Sequence, residues 1–167
     1  MRSTTPLVLR RLRMLAVLEF VNIPLLSYVF IAVLGMPVTA ANLIGLVLVA
    51  VILAEGGTYW WLKVRQLSAA TPLPAGMRAY RVLLKANLAL LVAGAIALGV
   101  LTGSGPAAGF WPGIALWFFA VLEHINYFHF QLMHDNRNDL ARLVRTRRLH
   151  RSHLARDLGR AMVTSVR

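Results

Sequence analysis

Four stretches dominate this chain, residues 14–35, 41–62, 82–103 and 110–133, each largely apolar. At 1.5 Å per residue, a helical run of about 20 residues crosses ~30 Å of hydrocarbon. Backbone groups in that medium must be satisfied within the segment, so such runs fold as helices. Composition points the same way, with 58% of the 167 residues hydrophobic and 14% charged, against roughly 25% charged in soluble domains. The expected fold is an all-α integral membrane protein: a four-helix transmembrane bundle over residues 1–135, then a basic tail, 136–167, containing an amphipathic cytoplasmic helix. Val38-Thr39-Ala40 resembles a signal-peptide cleavage site. The preceding apolar run is longer than a usual signal core, however, and predicts a retained helix.

Charge placement predicts orientation. The connectors at 36–40 and 104–109 carry no charge, whereas the head, the 63–81 loop and the tail hold nearly every Lys and Arg. By the positive-inside rule both termini and the central loop are cytoplasmic, as in a bacterial-type inner (plasma) membrane. The net charge of +12 therefore needs no nucleic acid to explain it, and no aromatic platform accompanies the arginines. Absence of cysteine removes thiolate chemistry and Cys-ligated metals or clusters.

Polar residues interrupt each span at a similar depth: Glu19 and Asn22, then Glu55 with Tyr59, then Lys85 and Asn87, and finally Glu123, Asn126 and Tyr127. Counted from the basic residues flanking the spans, Glu19 and Asn87 lie about 9 Å in and Glu55 about 12 Å in. These nine residues are the expected ligand-binding layer, in the cytoplasmic half of the bilayer. Ionisable groups at such depth are costly and mark functional sites. Three carboxylates against Lys85 alone require protonation, a bound cation or water.

In the last span, Glu123, Asn126, Tyr127, Phe130 and His134 fall on one helical arc. His124 and His129 are expected to diverge to opposite sides, with His124, His129 and His134 as secondary site candidates. That geometry argues against a bis-histidine haem and a His-rich zinc site. Residues 16–22, AVLEFVN, echo 120–126, AVLEHIN, and both place Glu and Asn three apart on one face. Small residues at Ala93, Gly94, Ala97 and Gly99 predict close helix approach along the third span.

In the tail, Leu140, Leu143 and Val144, then Leu154, Leu158 and Met162, recur at helical spacing between arginines. Arg142, Arg145, Arg148 and Arg156 are expected to meet anionic lipid, with the apolar groups toward lipid or the bundle mouth. His150 and His153, among so many cations, are expected to stay neutral.

The leading functional expectation is a small polytopic protein binding or conducting a cation, proton or polar small molecule at the Glu/Asn layer. One alternative is a membrane-embedded enzyme acting on a lipid or quinone-like substrate, with Glu as general acid or base. Another is a scaffold or assembly subunit in a homo-oligomer or larger membrane complex. No sequence motif specifies a cofactor.

Overall fold

In the computed structural model, which describes residues 6–102, 106–130 and 150–164, the chain is helical. Helix α1 spans Pro6–Tyr28 and continues as a π-helical turn, Val29–Val33; α2 spans Ala40–Ser68, α3 Met77–Leu101, α4 Trp111–Phe128 and α5 His153–Thr164. Four of these helices are long and apolar enough to cross a membrane, at Pro6–Val33, Ala40–Ser68, Met77–Leu101 and Ala107–Phe128.

The helices overrun the apolar stretches at the basic end. Helix α1 already includes Arg10, Arg11 and Arg13, and α2 continues through Lys63 and Arg65. Arg and Lys are good helix formers, so leaving the apolar layer does not end a helix. The fourth helix instead stops early, at Phe128 rather than near 133, because the His129 backbone (φ −126°, ψ −74°) leaves the helical region. Phe130 is therefore off the arc expected of it, and His134 lies outside the described residues, as do Arg142, Arg145, Arg148 and the Leu140 group.

Helix α2 is the centre of the bundle, with α1 and α4 packed along it and α3 against α2 and α4. Glycine makes the tightest contact possible. A Cβ on Gly113 would collide with the Ala41 carbonyl oxygen, and would lie 2.6 Å from its carbon and 2.9 Å from Asn42 Cα. A Cβ on Gly45 would in turn collide with the Gly113 carbonyl oxygen. Backbone thus meets backbone where α2 and α4 begin, the small-residue packing known from membrane helices. The expected stripe on the third span is only partly used: Gly94 admits Leu48 and Trp117, but Gly99 has nothing within 4 Å.

Asn42, fully buried, locks this end of the bundle. Its amide donates to Pro37 O at 2.9 Å and Ala108 O at 3.0 Å, and its carbonyl accepts from Gly113 N–H at 2.8 Å. Gly113 lies in the first turn of α4, whose N–H groups lack helical partners, so α2 caps α4. Thr39 caps α2 through the Asn42 N–H at 3.3 Å. At the end of α1, Pro24 removes one helical donor. The widened turn that follows closes through Leu34 N–H to Val29 O at 2.9 Å, and Gly35 (φ +63°) supplies the left-handed residue that reverses the chain.

Large apolar side chains cover the outside. Met14, Val17, Leu18, Phe20, Val21 and Leu25 are exposed on α1, as are Val82, Leu88, Val92, Ile96 and Val100 on α3 and Phe118 on α4. Ala16 is the only buried residue of α1.

Candidate functional site

The feature that assembles the site is the pair Gly56–Gly57 in the middle of α2. A Cβ on Gly56 would lie 2.5 Å from the Tyr127 hydroxyl, so the phenol ring rests directly on the α2 backbone. A Cβ on Gly57 would meet Phe20 at 2.9 Å and Glu19 Cβ at 3.1 Å, which brings α1 equally close on the adjacent side. Two missing side chains therefore let a residue of α4 reach a residue of α1 across α2. Tyr127 uses this passage to donate its hydroxyl proton to Glu19 Oε1.

Glu123 lies one turn before Tyr127 on the same face of α4. Asn126 donates to Glu123 Oε2 at 3.3 Å. Glu19 and Glu123 are both half-buried, and Tyr127 is buried. The sequence echo is thus only half a structural symmetry. Glu123 bonds its own Asn126, whereas Glu19 is bonded from another helix, with Asn22 half-buried on α1.

Glu55 belongs to a separate cluster. It faces α3, where Asn87, buried, donates to its Oε2 at 2.6 Å, and Tyr80 donates to its backbone carbonyl at 2.8 Å. The expected single layer is therefore drawn as two groups, Glu19–Tyr127–Glu123 and Glu55–Asn87. Lys85 is exposed on α3. Among the described residues no three His, Asp or Glu side chains gather as a metal site would need.

Tyr59 departs from its expected place in the layer. It is buried and donates to Asp157 Oδ2 of α5 at 2.8 Å, while Lys63 Nζ meets the same oxygen at 2.6 Å. This ion pair holds α5 onto the bundle. Leu154 and Leu158 pack into the core beside it, whereas Met162 is exposed. Ser152 completes the attachment: it accepts from Ala155 N–H at 3.1 Å, donates through its hydroxyl to Tyr127 O, and gives its own N–H to His129 O at 3.1 Å. The tail helix is therefore docked by its apolar face, with Arg156 exposed.

Asp157 has no place among the expected site residues and Lys63 marks only the basic end of the second span, yet the sequence carries a signal of their pairing. Residues 154, 157, 158 and 161 share one helical face, and an acid on the apolar face of an arginine-rich helix needs a buried partner.

The two histidines of α4 come together instead of diverging. Because His129 lies past the helix end, its ring sits 5.5 Å from that of His124, tilted by 58°. His124 is buried, stacks on Phe128 at 4.9 Å, and leaves Nδ1 without a hydrogen bond among the described residues.

On α5, burial pushes His153 below its ordinary pKa of 6.5, and the charges of Arg156, Lys63 and Arg11 push the same way, with Asp157 opposing. Burial therefore outweighs the like-charge effect expected from the sequence, even though the residue as a whole remains exposed. Docked α5 favours neutral His153, whereas undocked His153 takes a proton at the ordinary value. Docking is therefore strongest above pH 6.5 and weakens as pH falls below it. The protection factors of the α5 amides, taken relative to intrinsic exchange at each pH, should fall over that interval, and His153→Gln should remove most of the dependence.

No family model, curated protein or solved structure matches this chain.

Proposed function

We propose that this chain is an integral membrane protein, in a bacterial-type inner membrane with both ends cytoplasmic, that binds or conducts a proton or small monovalent cation at Glu19 and Glu123. Insertion is supported by the apolar exterior. Soluble monomers rarely expose contiguous apolar patches beyond a few hundred Å², while here exposed Leu, Val, Ile and Phe run along α1 and α3. Hydrocarbon is the solvent that suits them. Orientation rests on the basic residues at the end where α1 begins and α2 ends.

The observation that carries the cation reading is that Tyr127 of α4 bonds the Glu19 carboxylate of α1, while Glu123 lies one turn before Tyr127 on the same face of α4. The hydrogen-bond partner that Glu19 has among the described residues, the Tyr127 hydroxyl, carries no positive charge. Two like charges in a low-dielectric layer repel strongly, so a proton or cation between them is stabilising. Tyr127 fixes Glu19 in position and leaves its second oxygen for the occupant.

Purified protein in phosphatidylcholine vesicles with an internal pH-sensitive dye provides the test, with sodium flux followed in parallel. Wild type should move protons or sodium down an imposed gradient above the empty-vesicle rate. Glu19→Gln should reduce that rate about tenfold or more, the scale set by loss of one strong site interaction. Glu55→Gln, altering the separate cluster, should have a smaller effect. Transport at the empty-vesicle rate by folded wild type, or an unchanged rate in Glu19→Gln, would overturn the proposal.

A further inference from the structure

We infer that Ser152 is a positioning residue for the carboxylate site, holding Tyr127 where its hydroxyl reaches Glu19. Tyr127 lies in the last turn of α4, which ends at Phe128. Carbonyls of a last turn have no partner within their helix, and helix ends open at little cost. The tyrosine that reaches across α2 therefore stands on the least secure turn of α4, and what secures it comes from outside that helix. Ser152, buried just ahead of α5, donates its hydroxyl to Tyr127 O and its backbone N–H to His129 O at 3.1 Å. An antiparallel bridge between Phe130 and Arg151 extends the attachment.

The same side chain also caps α5. Its oxygen accepts from Ala155 N–H at 3.1 Å, the bond by which a serine closes the first turn of a helix. Further along α5, Asp157 accepts from Tyr59 at 2.8 Å and from Lys63 at 2.6 Å, which fixes α5 to α2. Tyr59 lies about one turn beyond Gly56, and the Tyr127 ring rests on the α2 backbone at Gly56. A closed circuit thus runs from the Tyr127 carbonyl through Ser152, Asp157 and Tyr59 to the α2 backbone beneath the Tyr127 ring. Backbone and ring of the tyrosine are both referred to α2, one of them by way of α5. The consequence for ion movement rests on the role of Glu19 proposed above, whereas the positioning itself does not.

The test uses the full chain in phosphatidylcholine nanodiscs, with carbon-13 at the tyrosine Cζ, whose NMR shift follows hydrogen bonding of the hydroxyl. Ion flux in phosphatidylcholine vesicles is measured beside it. Tyr127→Phe and Tyr59→Phe assign the two signals. Ser152→Gly is the informative variant, since glycine is tolerated as a helix cap yet lacks the hydroxyl. Ser152→Ala takes its place if that variant does not fold. The Tyr127 signal should move toward its position in Glu19→Gln, the Tyr59 signal should stay, and Ser152→Thr should restore Tyr127. Flux should fall about two- to fivefold, the scale of one neutral hydrogen bond. In the Tyr127→Phe background the same substitution should change flux little, because its effect runs through the hydroxyl. An unmoved Tyr127 signal would overturn the inference. So would movement of both signals together, which assigns the effect to loss of α5. Equal flux losses in the two backgrounds would also overturn it, as the mark of a general structural role. If folded wild type carries no ions, the function proposed above fails, and the Tyr127 signal alone still decides the positioning.

Discussion

Gly113→Ala should unfold the bundle at the end where α2 and α4 begin. The added methyl must occupy space taken by the Ala41 carbonyl, with its carbon at 2.6 Å and Asn42 Cα at 2.9 Å. These are backbone atoms, so no rotamer change relieves the clash, and α4 must move away from α2. The separation breaks Gly113 N–H to Asn42 Oδ1 and leaves a buried donor and acceptor unpaired. Overpacking costs about 1–3 kcal/mol and an unsatisfied buried group a similar amount, so the expected destabilisation is about 2–5 kcal/mol. Gly99→Ala is the control, since nothing lies within 4 Å of that position. Helix propensity alone should make it neutral or stabilising by roughly 0.5–1 kcal/mol. Thermal unfolding in detergent reads both, and a Gly113→Ala protein that melts with wild type would refute the close crossing.

The contrast between those two glycines shows what the sequence could and could not convey. The number and approximate position of the helices were legible because apolar runs long enough to span hydrocarbon leave the chain few options. Helix ends were less so. Nothing local distinguishes Arg13 inside a helix from Arg13 ahead of one, and the departure at His129 is a matter of tertiary contact with Ser152. Small residues advertise close approach without saying to which neighbour, so Gly99 and Gly113 look alike until the helices are placed.

The same holds for the acids. Depth along each span was countable, and it put Glu19 about 9 Å and Glu123 about 16 Å from the flanking basic residues. Which way each side chain turned depended on α2 lying between α1 and α4, with Gly56 and Gly57 clearing the passage for Tyr127. Glu55, one residue earlier on α2, points to Asn87 instead. A rotation of about 100° per residue separates it from its neighbour's face.

Coupling between Glu19 and Glu123 is the second large expected effect and the centre of the functional account. If one proton or cation is held by both carboxylates, removing either charge removes the site. The second substitution then has little left to remove. Groups that act as a unit are non-additive in this way, whereas independent sites more than about 7–10 Å apart contribute independently. Tyr127→Phe should fall between wild type and the single acid variants, because the hydroxyl orients Glu19 without carrying the charge. The direct measurement is a double-mutant cycle on ion flux in vesicles, using wild type, Glu19→Gln, Glu123→Gln and the double variant. The account predicts that each single variant loses about tenfold or more and that the double variant is no slower than the worse single. Losses that multiply in the double variant would contradict it.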